Sequence, residues 1–332
     1  MAEKPILIHT HFHYQRTGVT RSIENVLPFF EANFETYIAG ENVDIPSISF
    51  FKMMKLTFSK RKVIVHCHRN NEILRALFLR LIGAKFKLIS TRHAESKPSG
   101  LTTFLHKATD RIITLTQGMS EAFSFPKTII GLGVDLRIFH PHKKATISGV
   151  TQKNVIACAG RIRKAKGQHI LVEASMSVLK EFSDWAIVIV GKIDDQPYFN
   201  RMEKLLALNG LEKQVYFLNE TPRIIEIYQA SHTVVVPSFS EGFSLVCAEA
   251  MACGCNVIAS KNVGIHSQLI SEKENGYLFE AGDVNSLTKL LGDIVKGRKK
   301  HLGKESRSSI EQHWSATIEA QKLTSVYLDD QK

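Results

Sequence analysis

The chain has 332 residues, of which 44% are hydrophobic and 23% are charged, and its formal net charge is +11. This length predicts about two domains with buried cores, and the composition excludes disordered, collagen-like and disulfide-scaffold proteins. No apolar run approaches the roughly 20 residues of a membrane-spanning helix. The first residues run straight into His and Arg without a signal-peptide core, so we expect a protein that is not exported.

Short β-rich segments alternate with helical patterns along the whole chain. We expect strands at 6–12, 36–40, 63–68, 87–93, 111–116, 154–162, 185–193, 214–219, 232–238 and 256–260. Near-continuous runs of Val, Ile and Ala between helices are typical of parallel strands that are buried on both faces. The pattern predicts two doubly wound α/β domains, in which ligands bind beyond the C-terminal ends of the strands.

The domain boundary is expected in a polar segment at 141–153, which contains Pro and Gly and lacks apolar periodicity. We place the first domain at 1–145 and the second at 150–313. A last helical pattern at 314–328 ends the chain.

The positive charge is concentrated in the first half of the chain. Residues 1–150 hold 21 Lys and Arg against 11 Asp and Glu, a net charge of +10, whereas residues 151–332 hold 22 against 21, a net charge of +1. A one-sided positive field favours an anionic partner. Nucleic acid, anionic lipid and an acidic substrate all meet that requirement.

Histidines recur at alternate positions in the first half. His9, His11 and His13 share one face of an extended segment, and His66 and His68 do the same one strand over. No nearby carboxylate or cysteine completes an obvious ligand set, so a metal site is the less favoured interpretation. We favour strand-end histidines that line an anion-binding cleft.

Two loops of the first half have residues suited to a ligand. Gly18 lies between the first strand and the first helix, where it lets a ligand approach the backbone at the helix N-terminus. An ordinary turn would have the same composition. His93 ends a strand and is a candidate hydrogen-bond donor to a substrate, although a single His is more often structural.

The segment 52–62 mixes five cations with Met, Leu and Phe. Such a segment can lie on an anionic bilayer with its apolar side down. A solvated basic loop whose apolar residues pack inward is an equal alternative. Nucleic acid is less favoured because aromatic residues are not interleaved as a single-strand binder requires.

The segment Gly160–Gly167 (GRIRKAKG) follows a predicted strand and opens a helix. Glycine lets the backbone turn, and Arg and Lys add fixed positive charge beside the positive end of the helix dipole. This combination suits a phosphate or diphosphate. It is neither a Walker A loop nor a G-x-G-x-x-G motif, and a solvated basic loop is the alternative.

Two carboxylates follow the strand at 232–238. Glu241 is expected on a loop and Glu249 within the next helix, among apolar and small residues. A carboxylate there is costly unless it has a hydrogen-bond partner. Sugar and ribose hydroxyls are natural partners, and a helix cap or an Arg is the alternative.

The five cysteines, at 67, 158, 247, 253 and 255, are odd in number. Four lie in apolar stretches, which favours buried reduced thiols over disulfides. Cys253 and Cys255 form a C-x-C without a matching pair elsewhere, so zinc is not favoured.

Together these motifs resemble the GT-B glycosyltransferases, specifically the large retaining family GT4 that includes bacterial lipopolysaccharide-core and mannosyl transferases. Residues 159–167 are similar to the family's G-R-x-x-x-x-K-G loop, 240–260 to its E-x7-E block, and 275–283 to the segment that closes the domain. A weaker similarity lies at 133–141. The resemblance implies two Rossmann-like domains that face each other across a deep cleft, with helix 314–330 completing the first.

The resemblance implies that four side chains contact the diphosphate and the sugar of the donor. Arg161 and Lys166 hold the diphosphate and stabilise its departing charge. Glu241 binds hydroxyls of the donor sugar, and His93 contacts the sugar near the reacting carbon. Gly18 lets the diphosphate approach the N-terminal domain.

The resemblance also assigns the nucleotide. Glu249 bonds the ribose, the backbone of Ser244 and Leu245 approaches the phosphates, and Phe217 and Leu218 flank the base. The second domain then holds the donor and the first holds the acceptor.

Members of the family need no metal or other cofactor, because Arg and Lys stabilise the leaving diphosphate. The sequence agrees, since Asp194-Asp195 follows a strand but lacks the D-x-D pattern. We name no protein nucleophile, which leaves Glu241 as a binder of sugar. One departure from the family is the segment after 258, which keeps only Gly264 of the usual paired glycines.

The start of the chain looks most like a branch that adds mannose to the Kdo sugar of the lipopolysaccharide inner core. The sequence therefore predicts a retaining hexosyltransferase that takes mannose from GDP-mannose to an anionic glycolipid, at the inner face of the cytoplasmic membrane. The alternatives are a UDP-sugar donor with another lipopolysaccharide or polysaccharide acceptor, an epimerase of the same fold, and a basic binding module without turnover. No nucleic-acid partner is expected.

Overall fold

The computed structural model describes residues 3–142 and 145–329, and the chain divides into two compact units. Unit 1 runs to Asp135 and includes the C-terminal segment from Trp314, and unit 2 spans Leu136–His313. The division therefore comes about ten residues before the predicted boundary at 145. Residues 143–144 of the predicted linker and residue 330 of the predicted last helix lie outside the described residues.

Unit 1 is built on a parallel seven-stranded sheet. Its strands are β1 (Ile6–His11), β2 (Glu35–Gly40), β3 (Ser47–Ile48), β4 (Val63–Cys67), β5 (Lys87–Arg92), β6 (Arg111–Thr114) and β7 (Thr128–Ile129). Their order is β3-β2-β1-β4-β5-β6-β7, the doubly wound pattern in which strand order reverses beside β1. The five strands predicted in this half are all present, and the two additional strands are edge strands of two residues each.

Helices cover both faces of this sheet. They are α1 (Gly18–Val26), α2 (Phe50–Thr57), α3 (Asn70–Leu81), α4 (Gly100–Lys107) and α5 (Gln117–Glu121). Residues of α2, α3 and α4 share one hydrophobic core, which includes Met53, Ile73 and Leu105. Ile23 and Val26 of α1 belong to a second core, built on the alternate strand residues. Since crossovers are right-handed, helices that lead in opposite directions along the sheet must lie on opposite faces.

Unit 2 repeats the plan with a parallel six-stranded sheet. Its strands are β8 (Asn154–Ala159), β9 (Trp185–Val190), β10 (Val215–Leu218), β11 (Thr233–Val236), β12 (Asn256–Ser260) and β13 (Tyr277–Phe279). Their order is β10-β9-β8-β11-β12-β13. Its helices are α6 (Gln168–Glu181), α7 (Gln196–Asn209), α8 (Ile224–Ala230), α9 (Leu245–Ala252), α10 (His266–Leu269), α11 (Val284–Val295) and α12 (Gly303–His313).

The last helix, α13 (Ala316–Leu328), belongs to unit 1. Ser315 caps its N-terminus by accepting a hydrogen bond from the backbone N–H of Ile318 at 3.4 Å. Leu323 and Tyr327 are buried in the core that α1 also covers. At the other end, Lys87 Nζ donates to the carbonyl oxygen of Val326 at 2.6 Å, where a cation complements the negative end of the helix dipole.

The five cysteines are buried and unpaired, which confirms the prediction of reduced thiols. Among the residues that the structure describes, no helix combines the length and the apolarity that crossing a membrane requires.

Candidate active site

The basic loop of unit 2 lies at the C-terminal end of β8, where ligands bind in sheets of this kind. Gly167 joins the loop to α6 with a φ of +69°, and a Cβ there would lie 2.0 Å from the carbonyl oxygen of Pro237. The backbone N–H of Phe239 donates to the carbonyl oxygen of Ala165 at 2.9 Å. The loop at 160–167 is therefore fixed directly against the loop that follows β11.

This contact brings Lys166 and Glu241 together. Lys166 Nζ lies 2.8 Å from Oε1 and 2.7 Å from Oε2 of Glu241. Ser238 Oγ donates to Oε1 of the same carboxylate at 2.7 Å. Glu241 is 9% exposed, so its charge is held by these two partners rather than by bulk water. The loops thus present an ammonium and a carboxylate as one fixed unit.

Arg161 is more open than Lys166. Its guanidinium lies 3.1 Å from a carboxylate oxygen of Asp194, and its side chain is 49% exposed. The neighbouring Asp195 caps α7, because its carboxylate accepts from the backbone N–H of Tyr198 at 3.0 Å. The Asp194-Asp195 pair is therefore occupied by an arginine and a helix cap.

Ser244 precedes α9 in a left-handed conformation, with φ +81° and ψ +59°, which is uncommon for a residue other than glycine. His266 holds it there. Its Nδ1 lies 2.8 Å from the carbonyl oxygen of Ser260, so Nδ1 carries the proton. Its Nε2 accepts from Ser244 Oγ at 2.8 Å. The backbone N–H of Cys247 donates to the carbonyl oxygen of Ser244 at 3.1 Å, so the N–H groups of Leu245 and Val246 before it are the ones that can face an anion.

Glu249 lies within α9 and is 1% exposed. Tyr228 Oη donates to its Oε2 at 3.3 Å. Phe217 and Leu218 end β10 and are half-buried, and the Phe217 ring packs edge-on against Phe199 at 4.9 Å between centroids. These two residues lie at the C-terminal end of a strand of unit 2, and Glu249 lies within the helix that follows β11.

Gly264 supports Glu241 from the following loop. It has a φ of +53°, and a Cβ there would lie 2.9 Å from the Cβ of Glu241. This close approach explains why a glycine stands at this position although its usual glycine partner is missing.

In unit 1, Gly18 is the first residue of α1, and a Cβ there would meet no atom within 4 Å. Its neighbour Thr17 is fixed by Arg69, whose Nη2 donates to Thr17 Oγ1 at 2.9 Å. The Arg69 guanidinium in turn lies 3.6 Å from the buried carboxylate of Glu72. The backbone at Gly18 therefore has free space beside it, and the adjacent Thr17 is fixed by its hydrogen bond from Arg69.

His93 ends a chain of hydrogen bonds in unit 1, which we call the histidine relay. Neighbouring members are joined at nitrogen–nitrogen or nitrogen–oxygen distances of 2.6–3.2 Å. In order, its members are Thr91, His66, Tyr327, His9, His68 and His93. Tyr327 comes from α13, and the register of β1 and β4 places His9 beside His66.

Burial keeps the relay uncharged. It lowers the pKa of His9 and His93 to about 3, and it lowers the pKa of His66 and His68 well below the ordinary value. A neutral imidazole donates from one nitrogen and accepts at the other. The hydrogen bonds that join His9, His68 and His93 must therefore point in one direction, so His68 fixes the tautomer of His93.

The relay changes the interpretation of the histidines. His9 and His66 are each 1% exposed and border a cavity of about 10 Å³, which is room for about one water. The expected anion-binding cleft is therefore wrong for these two residues, because α13 covers them. His11 instead bonds Thr20 and the carbonyl oxygen of Glu41.

A metal at this point remains the less favoured interpretation. His9, His66 and His68 offer nitrogens that lie within 4.8 Å of one another, and neutral imidazole is the form that binds metal ions. However, both ring nitrogens of each histidine already take part in the relay. A metal ion would have to replace those hydrogen bonds.

The relay predicts a loss of stability in acid. These histidines are neutral when folded and titrate near pH 6.5 when unfolded. Their contribution to the free energy of unfolding is therefore complete above pH 6.5. It is lost as the pH falls toward about 3, the pKa of folded His9. We expect the free energy of unfolding, measured in urea, to fall between pH 7 and pH 5.

The matched variant is His9→Asn, which removes one of the titrating groups. Its slope of unfolding free energy against pH should be shallower than that of the wild type, by up to about 1.4 kcal/mol per pH unit. Equal slopes in the two proteins between pH 6 and pH 5 would show that His9 is not buried in its neutral form.

The structure thus brings together Lys166, Glu241 and the start of α9, and it places Gly18 and His93 in unit 1. Sequence reasoning missed His266, Ser238 and Tyr327 as supports of these residues. Ser238 lies within a predicted strand segment, three residues before Glu241, and its proximity was the one available signal. The other two come from distant parts of the chain.

A family model described as glycosyl transferases group 1 matches residues 142–310, just over half of the chain. The chain belongs to this family. The match spans the basic loop, both glutamates and Ser244, so the unit 2 site is the part of this glycosyltransferase that the family model covers.

Relatives of this glycosyltransferase extend over most of its length. The lipopolysaccharide core biosynthesis mannosyltransferase LpcC of Rhizobium leguminosarum bv. viciae is 28% identical over 302 residues, covering 87% of this chain and 86% of the relative. The mannosyltransferase LpsB of Rhizobium meliloti, of the same description, is 26% identical over 309 residues, covering 88% of each.

The structure of Anabaena Alr3699/HepE in complex with UDP and glucose is similar with a TM-score of 0.81 at 17% identity, covering 97% of this chain and 99% of that one. At this identity the similarity concerns the fold. It confirms the prediction of GT-B architecture with two Rossmann-like α/β domains, and the family confirms the prediction of a glycosyltransferase.

Proposed function

We propose that this glycosyltransferase transfers mannose from GDP-mannose, with retention of configuration, to an anionic glycolipid such as the Kdo of the lipopolysaccharide inner core. The relatives LpcC and LpsB are described as lipopolysaccharide core biosynthesis mannosyltransferases. Unit 1, residues 1–135 and 314–332, holds 20 Lys and Arg against 14 Asp and Glu, and this net charge of +6 suits an acidic acceptor.

The pairing of Lys166 with Glu241 at 2.7 Å carries the proposal. Glycosyl transfer from a nucleotide sugar leaves negative charge on a departing diphosphate while positive charge develops on the sugar. A fixed ammonium stabilises the first, and a carboxylate that accepts from sugar hydroxyls orients the second. Lys166 can donate to the diphosphate and to Glu241 at once, because its ammonium carries three N–H donors. Arg161 adds a second, more mobile cation.

The rest of the donor fits around this pair. The open N–H groups at the start of α9, which begins at Leu245, suit the phosphates. Glu249 is assigned to the ribose, and Phe217 with Leu218 to the base. We expect no metal or other cofactor, since the cations of the protein supply the charge that a metal would supply.

In unit 1, Gly18 is assigned to the diphosphate and His93 to the donor sugar. His68 and the relay behind it give His93 a fixed orientation at 2.9 Å between nitrogens. An anionic glycolipid acceptor places the protein peripherally at the inner face of the cytoplasmic membrane.

The experiment that tests this proposal follows nucleotide release from purified protein. The donors are GDP-mannose, UDP-glucose, UDP-galactose, UDP-N-acetylglucosamine and ADP-heptose, each with and without Kdo-lipid A. We expect GDP release from GDP-mannose only when the acceptor is present.

Release of UDP or ADP in place of GDP would contradict the assignment of GDP-mannose as the donor, but it would agree with a glycosyltransferase of this family. Equal release with and without acceptor would contradict transfer to this glycolipid. A folded protein that releases no nucleotide but retains nucleic acid in a salt-dependent way would instead support the binding-module alternative.

A further inference from the structure

Large apolar side chains lie exposed in an uneven distribution over the protein. Fourteen of the described residues are large, hydrophobic and exposed, and eight of them belong to α2, α3, α4 or the first residue after these helices. The eight are Phe51, Phe58, Leu74, Phe78, Leu81, Ile82, Leu101 and Phe104. Single exposed apolar residues are ordinary, but a concentration of this kind indicates a contact surface.

The spacing of these residues follows the helix period. On α3, Leu74, Phe78 and Leu81 stand four and three residues apart, so they form one stripe. Leu81 is 83% exposed. The opposite side of the same helix buries Ile73, Ala76 and Leu79 in the core. Helix α3 is therefore apolar on two sides, and only one side is covered by unit 1.

The two flanking helices repeat this arrangement. On α2, Met53 is buried while Phe51 is 73% exposed, and on α4, Leu105 is buried while Phe104 is 66% exposed. All three helices pack on the same core. Helices α3 and α4 contact each other directly. We call their outward side the α2–α4 face.

Helices α2 and α3 are joined through an aromatic side chain between them. The Phe12 ring packs edge-on against Phe50 of α2 at 6.0 Å between centroids. The guanidinium of Arg75 on α3 lies 4.4 Å from the centre of the same ring. The three helices therefore form one continuous layer.

The charges on this layer have one sign. The exposed cations on or just after the three helices are Lys52, Lys55, Lys60, Lys62, Arg75, Lys85 and Lys107. Residues 50–62, 70–86 and 100–112, all of which the structure describes, contain two carboxylates: Glu72 is fully buried, and Asp110 pairs with Arg80 of α3. The apolar stripes are thus surrounded by an excess of positive charge.

We propose that the α2–α4 face docks this protein on an anionic lipid bilayer. Apolar side chains that enter the acyl boundary and cations that meet anionic headgroups are the two components of interfacial binding. A second copy of the chain fits less well, because face-to-face pairing would set the excess of cations on one copy against the same excess on the other. The proposal goes beyond the basic segment at 52–62, since α3 and α4 supply most of the apolar residues.

This inference rests on the proposed function in one respect: a glycolipid acceptor is the reason for the protein to contact a membrane. Its test uses vesicle flotation, which needs neither donor nor acceptor. Purified full-length protein is mixed with phosphatidylcholine vesicles that contain phosphatidylglycerol, or with phosphatidylcholine alone. We expect flotation with the anionic vesicles only, and weaker flotation at high salt.

The decisive variant is Phe78→Ser combined with Leu81→Ser, which keeps every charge. It should lower the bound fraction about 10-fold or more, because interfacial binding scales with the apolar area that enters the lipid. The matched control is Leu208→Ser on α7 of unit 2, since Leu208 is 75% exposed and should leave flotation unchanged. A second variant, Lys55→Gln with Lys107→Gln, should weaken binding to anionic vesicles.

A wild type that does not float with anionic vesicles would overturn the proposal. So would a double-serine variant that floats as well as the wild type, or a wild-type dimer that this variant turns into a monomer in sedimentation velocity. Because nucleotide release is not part of the assay, failure of the donor or acceptor assignment leaves the flotation result readable.

Discussion

Lys166→Ala is expected to lower kcat for sugar transfer by about 100-fold or more while the protein remains folded. Removal of one charge-stabilising donor from a reacting centre commonly has an effect of this size. The charge of Lys166 matters most as the diphosphate leaves, so the loss should appear in kcat more than in KM. Steady-state kinetics of nucleotide release would measure both.

The variant also leaves the buried carboxylate of Glu241 with Ser238 as its remaining partner in this cluster. We therefore expect a moderate loss of stability, about 1–3 kcal/mol, beside the loss of activity. Thermal unfolding measured with the kinetics separates the two effects.

Lys164→Ala is the matched control for this variant. Lys164 begins the same three-residue 3-10 turn that Lys166 ends, and it is exposed. Its removal takes away the same formal charge at almost the same place. Near-normal turnover is expected for Lys164→Ala, and near-normal turnover in Lys166→Ala would contradict the role assigned to Lys166.

Gly167→Ala is expected to destabilise unit 2 by about 3 kcal/mol or more and to abolish donor binding. The φ of +69° already disfavours alanine by about 1 kcal/mol. In addition, the new Cβ would lie 2.0 Å from the carbonyl oxygen of Pro237, so the two loops that position Lys166 and Glu241 must move apart. Urea unfolding and a thermal shift with the donor nucleotide would measure the two effects.

Gly210→Ala isolates the backbone part of this effect. Gly210 has a φ of +66°, nearly that of Gly167, but a Cβ there would meet no atom within 4 Å. Gly210→Ala should lower the free energy of unfolding by only about 1 kcal/mol and leave donor binding intact. Equal costs for the two variants would show that the approach of the loops to each other is not tight.

The fold could be predicted largely from the sequence. Runs such as Trp185–Val190 and Val63–Cys67 are long and apolar enough to be recognised as buried parallel strands. Edge strands such as β3 have only two residues. That is too few to show a hydrophobic pattern, so these strands could not be predicted. The division after Asp135 also escaped prediction, because the start of unit 2 packs through contacts that local composition does not encode.

The residues of the candidate site were predicted from two short segments, the basic loop after β8 and the stretch after β11. Arg161, Lys166, Glu241 and Glu249 stand out in the sequence because their types and spacing suit a sugar nucleotide. Their supports are distant in the chain: Tyr327 bonds His66 across 261 positions. Alternation placed His9 on a face of β1, but it could not show that α13 would cover that face.

The outer stripe of α3 had a signal in the sequence. Leu74, Phe78 and Leu81 keep the helix period, as the inner residues of α3 also do. Periodicity alone cannot tell which of two apolar sides a sheet will cover. Exposure in the folded chain makes that distinction.

The most direct test of the central claim is the product of the GDP-mannose reaction with Kdo-lipid A. Nuclear magnetic resonance of that product gives the configuration at the transferred anomeric carbon. We predict a mannosyl product with the configuration of the donor, formed together with one GDP per transfer. A product of inverted configuration would contradict the retaining mechanism, and GDP release without a glycosylated product would contradict the transferase function proposed for this site.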